Sequence, residues 1–507
     1  MKKGMVYLVG AGPGAEDLIT LKGLECIKVG DTIIYDYLAN KKLLKYSKKG
    51  CELIYVGKKG SSHTMEQEDI NQLIVDKVLD GKIVVRLKGG DPYVFGRGGE
   101  EVEELLKYNI DFEIVPGITA AIAASAYAGI PLTHRNYTST VAFITGHERD
   151  DKEFSKIHWD KIANGVGTIV FYMGVKNLPN IVKNLIQSGR SPETPVALIR
   201  WGTLPTQKVV DGTLQNIVER VQTAKLTAPA IILVGEVVSL REKLRWFDKK
   251  SLFGKNIVIT RAREQASELN NTLTKLGANV IEFPTIEIVE PKDFTELDNA
   301  ISSIRSYDWL IFTSVNGVKI FLKRLSHHKK DLRELYGIKI CAIGPKTAEV
   351  FINSGIHPDL IPPKYQAEYI IEEMEKIGIS GKRFLLPRAK VARDVLPNKI
   401  SEKGGIIDVV NVYETILPDT NKGEVRELFN NHQVDYITFT SSSTVKNFLE
   451  MFANDSVKDW FKTTKLVSIG PITSDTLRES GFAPSIEAEE FTIDGLIASI
   501  LKDSEVS

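Results

Sequence analysis

VVRLKGGDPYVFGRGGEEVEELL, from Val84 to Leu106, is the stretch around which the first half of this chain can be read. Val84 to Leu87 is a short β-branched run that predicts a buried strand. Gly89, Gly90 and Pro92 end it, and the pattern from Gly99 to Leu106 predicts the helix that follows. Asp91 falls where the chain leaves the strand, which in an α/β sheet is the crevice where ligands bind. Two glycines let a ligand approach the backbone, and Arg86, Lys88 and Arg97 supply cationic charge nearby. A tight strand-to-helix turn with a solvated charged rim satisfies the same spacing. The neighbouring segments have to decide.

Upstream, Met5 to Val9 predicts the first strand, followed by the loop GAGPGAEDLIT from Gly10 to Thr20. Its glycines miss the GxGxxG spacing of a dinucleotide site, and Pro13 removes a backbone donor that a phosphate cradle needs. The loop reads better as a rigid surface for a flat organic group. A helix is expected over Leu18 to Val29, a strand from Thr32 ending near Asp36, and another from Cys51 ending at Gly57 and Lys58. Pro13, Asp36, Lys58 and Asp91 thus all stand at strand ends. Singly each is a solvated turn; jointly they outline one crevice. Downstream, VPGIT breaks a strand and Thr119 opens a helix dense in alanine, which permits close packing of backbone or ligand. Pro131 and the polar run to Ser139 mark a boundary. A second lobe follows, with strands at Val141 to Thr145 and Thr168 to Met173, a helix at Leu178 to Gln187, and a βαβ-like segment after the loop GTLPTQ.

The chain has 507 residues, enough for three or four domains of ordinary size. A hydrophobic fraction of 43%, with 39 glycines and 20 prolines, is that of a turn-rich α/β protein. Zero formal charge gives no argument for a nucleic-acid or membrane surface. Cys26, Cys51 and Cys341 are far apart and read as small hydrophobes, and no histidine spacing suggests a metal site. No stretch reaches transmembrane length and the start is no signal peptide, so no membrane partner and a cytoplasmic location are expected.

REKLRWFDKKSLFGK is a charged seam in which Trp246 and Phe247 serve either as a packed anchor or as part of a bare linker. Beyond it the chain is duplicated. GKNIVITRAREQASEL at Gly254 returns as GKRFLLPRAKVARDVL at Gly381. YDWLIFTSVNGVKIFL at Tyr307 returns as VDYITFTSSSTVKNFL at Val434, and the IGP segment after Lys339 returns after Lys465. Each copy carries apolar strands followed by amphipathic helices, which predicts two similar parallel-sheet domains. The loops TR/PR, FTS and IGP fall at strand ends, the last two before helix starts whose free backbone donors attract carboxylates.

With these residues in view, Met1 to about Lys243 resembles the tetrapyrrole methyltransferases, most closely the uroporphyrinogen-III C-methyltransferases. The motifs occur in order: VGAGPG at 9–14, YD at 35–36, VGK at 56–58, RLKGGDPYVFGRGGEE at 86–101 and VPGITAA at 115–121. The resemblance implies a two-lobed α/β fold, S-adenosylmethionine between the lobes and a homodimer. Carried onto this chain, it gives Pro13, Gly89, Gly90, Asp91 and Val94 as cofactor-binding in the first lobe. Thr119, Ala120, Met173, Gly202 and Ala230 complete that set. Asp36 and Lys58 match the family's acid/base pair and Arg97 a substrate-facing arginine. In the first loop Ala15 and Glu16 stand where relatives carry an acid, a role that Asp17 takes up one position later.

From Phe253 to Leu501 the chain resembles the uroporphyrinogen-III synthases, through FTS, IGPKTA and NVYET. That resemblance implies two α/β domains with an interleaved connection. It makes Tyr413 catalytic and sets Ser314, Thr347, Ser441 and Thr473 at the substrate cleft. The expected domains are 1–134 and 135–243, a linker at 244–253, then 254–287 with 415–503, and 290–412. Hydroxymethylbilane and uroporphyrinogen III are the implied substrates. A binding or regulatory protein with a degenerate first half is the rival from another class. A nicotinamide-dependent oxidoreductase fails on the glycine spacing.

Overall fold

Five apolar strands, each short enough to be covered on both faces, build the first sheet: β1 (Met5–Gly10), β2 (Thr32–Tyr35), β3 (Glu52–Tyr55), β4 (Ile83–Lys88) and β5 (Phe112–Val115). All run parallel, in the order β3-β2-β4-β1-β5. Alternate side chains supply two cores, with Val6, Leu8, Ile34 and Val84 on one face and Val9, Ile33, Val85 and Leu87 on the other. Each such side chain contributes roughly 1.5–3 kcal/mol by leaving water. Because the strands are parallel, Gly10, Asp36, Gly57, Gly89 and Pro116 all lie at or just beyond strand ends on the same edge. The helix expected from Leu18 begins instead at Leu21, because Thr20 caps it by accepting the Gly23 amide, and Glu16–Leu18 is a 3-10 turn.

The computed structural model describes residues 4–57, 65–146, 157–261, 263–363, 367–392, 394–418 and 422–506. They divide into two units, one made of Met1–Asn256, Asn271–Val280 and Leu501–Ser507, the other of Ile257–Asn270 and Ile281–Ile500. The first unit holds a second sheet of β6 (Val141–Thr145), β7 (Thr168–Tyr172), β8 (Pro195–Arg200), β9 (Lys208–Thr213) and β10 (Ala230–Val234), ordered β6-β7-β10-β8-β9. Only β6 and β7 are parallel neighbours; β10, β8 and β9 alternate in direction. After the GTLPTQ loop, β9 leads through the helix Ile217–Thr223 to β10, which runs parallel to it with β8 between them, as the expected βαβ-like segment. The loop itself closes the hairpin of β8 and β9. So short a connection cannot carry the chain back to start a parallel strand.

The alanine-rich helix, Ala120–Tyr127, follows the last strand of the first sheet yet packs on the second. Ala121 and Ala124 lie against Val170, Ala197 and Ile231, and a Cβ on Gly202 would stand 2.2 Å from the Ala124 Cβ. Small residues on both sides bring the two backbones together. At the end of this helix the Tyr127 ring lies 4.9 Å from Trp246 and 4.8 Å from Phe247, and Trp246 Nε1 donates to the Ala126 carbonyl. The aromatic pair is a packed anchor, not a bare linker.

In the second half, β11 (Asn256–Ile259) and β12 (Asn279–Glu282) begin one sheet. The chain then leaves to build another from β13 (Glu287–Val289), β14 (Trp309–Phe312), β15 (Lys339–Ala342), β16 (Arg383–Ala389) and β17 (Ile406–Ile416). It returns with β18 (Tyr436–Phe439), β19 (Lys465–Ser468) and β20 (Ile486–Glu487). The sheet orders are β12-β11-β18-β19-β20 and β13-β17-β16-β14-β15. The first strand of one copy, β11, pairs with β18 of the other copy, while β16 pairs with β14. The duplication is thus interleaved: each sheet joins the opening strand of one copy to the later strands of the other. Cys341 packs in the core beside Trp309 and Phe384, and burial pushes its thiol up to about 12. Among the described residues no helix is long and apolar enough to cross a membrane, and no group of three or more His, Cys, Asp or Glu is arranged to hold a metal.

Candidate active sites

Three strand-end loops of the first sheet interlock. Gly12 and Gly90 exchange backbone hydrogen bonds at 3.2 and 2.7 Å, and the Ala11 amide donates to the Lys88 carbonyl. Gly12 and Gly90 have φ of +77° and +68°, which glycine adopts at no steric cost. A Cβ on Gly117 would come within 2.2 Å of the Gly90 carbonyl, so glycine is required there for contact alone. Asp91 fastens the same loops: Oδ1 accepts the Tyr93 amide and Oδ2 the Gly117 amide at 3.0 Å. A Cβ on Gly89 would strike Leu38, so this glycine too serves packing. On Gly90 the Cβ would meet nothing closer than 3.8 Å, from Thr119. The space in front of the first turn of the alanine-rich helix is therefore a cradle that a side chain would fill.

The second sheet closes on this cradle. Tyr172, at the end of β7, accepts the Ala121 amide on its hydroxyl and shares a hydrogen bond with Thr119 Oγ1. Met173 follows it, 57% exposed. Thr203 Oγ1 accepts the Ala15 amide, Asn40 Nδ2 donates to the Gly14 carbonyl, and the Leu204 side chain lies where a Cβ on Gly14 would come within 3.1 Å. Gly90, Asp91, Thr119, Ala120 and Met173 are thus brought together, and Pro13 and Gly202 reach the same region through the Ala15–Thr203 bond. Val94 is half-buried in the loop after Asp91, and Ala230 is half-buried in β10, paired with Arg200. Asp17 is exposed, while Glu16 bonds Tyr46 and Lys45.

A cavity of about 510 Å³ opens beside Met173, lined by Tyr93, Phe95, Arg97, Glu100 and Thr145. Arg97 caps the helix Gly98–Lys107 and its guanidinium forks onto the Glu100 carboxylate, which raises its pKa. Phe95, Arg97, Met173, Trp201 and Thr203 all have positive φ without being glycine. Such conformations cost about 1–3 kcal/mol each and gather where binding needs a fixed shape. Tyr172, Asn40, Thr203 and Glu100 escaped the sequence reading; none of them stands in a motif that gives away its partner.

Arg86 and Lys88, read from sequence as cations near the ligand, are buried beneath the strand ends. Both bond Glu101 Oε1, Arg86 through Nε at 3.1 Å and Lys88 through Nζ at 2.7 Å. Burial and the neighbouring Arg86 pull the Lys88 pKa down. They do not face solvent, as a rim would. Glu101 could have been found, since it shares the apolar stripe of Gly98, Val102 and Leu105 on its helix. Asp36 stands at the mouth of this cluster. Its Oδ1 accepts the Leu38 and Ala39 amides, and its Oδ2 lies 3.6 Å from Arg86. Lys58 lies outside the described residues.

In the second half, Tyr413 on β17 donates to Ser314 Oγ at 3.1 Å. Ser314 in turn caps the helix Val315–His327 by accepting the Gly317 amide. Ser441 caps the equivalent helix Ser442–Met451 in a reciprocal capping box with Thr444. Thr347 and Thr473 are buried, and their amides already donate to Gly344 and Gly470. With proline at the first position of both helices, the amides of Lys346 and Ile472 are the ones left without a partner among the described residues. No hydrogen bond among the described residues joins Tyr413 and Ser314 to Ser441 and Thr473. Arg261 and Arg388, equivalent in the duplication, both follow or end the opening strands; burial lowers the Arg261 pKa, and Arg388 pairs with Asp394.

Comparison with known proteins separates the same two regions. Residues 5–218 match the family of tetrapyrrole (corrin/porphyrin) methylases, and residues 267–498 match uroporphyrinogen-III synthase HemD. The chain is 38% identical over 504 residues to a porphyrin biosynthesis protein HemD of Ruminiclostridium josui, covering 99% of this chain and 98% of that one. It is 55% identical over 236 residues to a uroporphyrinogen-III C-methyltransferase of Priestia megaterium, covering 46% of this chain and 99% of that one. A solved uroporphyrin-III C-methyl transferase of Thermus thermophilus, complexed with S-adenyl homocysteine, is 37% identical over 47% of this chain and all of that one, with a TM-score of 0.41. The chain belongs to the family of fused proteins in which a tetrapyrrole methylase region is followed by a uroporphyrinogen-III synthase HemD region.

Proposed function

We propose that this chain is a bifunctional tetrapyrrole enzyme. Its second half closes hydroxymethylbilane to uroporphyrinogen III with inversion of ring D. Its first half carries two methyl groups from S-adenosylmethionine to uroporphyrinogen III, giving precorrin-2. The observation that carries this reading is the presence on one chain of a region like uroporphyrinogen-III C-methyltransferases and a region like uroporphyrinogen-III synthases, the product of one being the substrate of the other.

In the first half, Gly90, Asp91, Thr119, Ala120 and Met173 hold S-adenosylmethionine, with Pro13, Gly89, Val94, Gly202 and Ala230 shaping the same pocket. The open cradle at Gly90 supports the fit. The donor supplies an electrophilic methyl group and needs no metal. The residues have to hold the pyrrole carbon in line and take up a proton. Asp36, partly exposed beside the crevice, receives that proton or stabilises the developing positive charge. Lys58, the other member of the acid/base pair, binds a substrate carboxylate or helps the proton transfer, and Arg97 faces the substrate. In the second half, Tyr413 is catalytic, and Ser314, Thr347, Ser441 and Thr473 mark helix starts that hold the bilane's carboxylates through backbone amides. The substrate loses its hydroxyl readily once folded, so the enzyme's task is the geometry of closure.

The functional boundaries are 1–134 and 135–243 for the methyltransferase lobes and 244–253 for the seam. The synthase domains are 254–287 with 415–503, and 290–412. The first half pairs with its copy as a homodimer, and the reactions run in the cytoplasm. A regulatory protein with a degenerate first half is disfavoured by the intact Asp36 and GGDP set. The test is anaerobic incubation of the full chain with hydroxymethylbilane and S-adenosylmethionine, followed by mass and isomer analysis. Without donor the reaction should stop at uroporphyrinogen III; given uroporphyrinogen III and donor it should reach precorrin-2. A folded protein that yields no methylated tetrapyrrole from uroporphyrinogen III overturns the reading.

A further inference from the structure

We propose that Glu101 is a positioning residue for methyl transfer, acting through Arg86 to fix the carboxylate of Asp36. The inference rests on the methyltransferase reading above and adds to it a residue that touches neither substrate nor donor.

The Glu101 side chain is fully buried and its two oxygens are used unequally. Oε1 receives Arg86 Nε at 3.1 Å, Lys88 Nζ at 2.7 Å and Gln67 Nε2 at 3.2 Å, while Oε2 has no partner among the described residues. Arg86 is held on a second side, since its NH1 donates to the carbonyls of Ile34 and Leu87, each at 3.3 Å. A guanidinium is planar and rigid, so fixing Nε and NH1 fixes NH2 as well. NH2 is the nitrogen 3.6 Å from Asp36 Oδ2. The other Asp36 oxygen is taken by the Leu38 and Ala39 amides. Each link leaves the next a single orientation, and the last of them ends at the crevice.

As a source of stability the cluster is a poor choice. Taking two cations and one anion out of water can cost as much desolvation as their attraction returns, and apolar residues of the same volume often serve as well. What the charges provide is direction. Glu101 also belongs to the first turn of the helix that Arg97 caps and that presents Glu100 to the cavity. The same contact therefore sets the register of the cavity wall.

The experiment compares full-length wild type with Glu101→Gln, Lys88→Met and the double variant, reading kcat, KM for S-adenosylmethionine and the thermal midpoint. Glu101→Gln leaves two buried cations with no anion between them and should lower both midpoint and kcat. Adding Lys88→Met removes one of those cations and should recover the midpoint. The kcat of the double variant should stay down by about 100-fold, the scale of a misplaced reacting group, with KM for the donor within about 2-fold. Lys88→Met alone should keep most of kcat. Recovery of kcat together with the midpoint would reduce Glu101 to a structural role, and an equal loss in Lys88→Met alone would move the role to Lys88; either overturns the proposal. If wild type itself transfers no methyl group, the functional reading falls by that result. A crystal structure of the double variant then decides the inference: an Asp36 carboxylate still facing Arg86 overturns it, and one turned away upholds it.

Discussion

The hydroxyl of Tyr172, at the end of β7, lies 2.6 Å from Thr119 Oγ1 and 2.9 Å from the Ala121 amide. One side chain from the second sheet thus ties down the entry to the alanine-rich helix, and its ring stands 4.9 Å from Phe95 beside the cavity. Burial raises the Tyr172 pKa, which keeps the proton needed for this double role. Tyr172→Phe keeps the ring packing and deletes the hydrogen bonds, at about 1 kcal/mol apiece. Affinity for S-adenosylhomocysteine should fall about 10-fold by calorimetry, and the thermal midpoint should drop by a few degrees, because both hydrogen bonds also hold the protein together. Unaltered affinity would separate Tyr172 from the donor pocket.

Asp36→Ala should leave S-adenosylhomocysteine binding nearly intact and slow methyl transfer by about 100-fold or more, as removal of a positioned acid/base group does. Among the described residues the carboxylate reaches backbone amides of its own turn and Arg86, so its loss does not disturb the Gly90 cradle. Single-turnover methyl transfer at the wild-type rate would exclude it from the chemistry.

Asp91→Ala should do the reverse. Its oxygens hold the Tyr93 and Gly117 amides, and hydrogen bonds to a charged group are worth about 1.5–3 kcal/mol. Losing them releases the loop after β4 from the loop after β5. The donor should bind at least 10-fold more weakly, by about 1.4 kcal/mol or more, and the thermal midpoint should drop, because the carboxylate works on the protein first. A normal midpoint with weakened binding would show that Asp91 meets the donor directly.

The strand ends of the first half were legible because glycine and proline punctuate them, and a parallel sheet must put all those ends on one edge. The duplication of the second half was legible because GKNIVIT and GKRFLLP repeat in sequence, while its interleaving was implied by the resemblance to the synthases. What stayed hidden depended on partners far along the chain. Asp91 was placed at its strand end, but nothing near it in sequence showed that its oxygens also hold the Tyr93 and Gly117 amides. Arg86 and Lys88 looked like cations near a ligand, and the place of Glu101 on the apolar stripe of its helix was the one sign that it turns inward to meet them. The hairpin of β8 and β9 was missed because apolar content marks a strand without marking its direction.

Lys88 gives the first half a defined alkaline response. Burial and the nearby Arg86 lower its folded pKa below the ordinary 10.5. For a base with a depressed pKa, the unfolded chain binds more protons between the folded and unfolded values. Stability therefore rises with pH through that window, and the cost of burying the charge is fully present below it. Wild type should gain stability relative to Lys88→Met as pH climbs toward 10.5, measured by urea unfolding of the two proteins at matched pH. Parallel curves would mean that Lys88 keeps its normal pKa.

Tyr413→Phe tests the second half without endangering its fold. The hydroxyl donates to Ser314 Oγ, but that oxygen also accepts the Gly317 amide, so the helix Val315–His327 keeps its cap when the phenol is gone. What is lost is one oriented donor at the end of β17, next to the helix start that we assign to the bilane's carboxylates. A single positioning hydrogen bond is worth about 1 kcal/mol net, so closure should slow by about 10-fold. Bilane that leaves unclosed cyclises by itself without inverting ring D, so the loss should appear twice: as a lower rate and as a rising share of the type-I isomer. The two readouts have to move together, because slow closure with pure type-III product would mean that the tyrosine binds the bilane but does not guide its inversion. Circular dichroism and thermal midpoint should match wild type. An unchanged rate with pure type-III product would remove Tyr413 from the mechanism and leave the backbone amides at Lys346 and Ile472 as the groups to examine next.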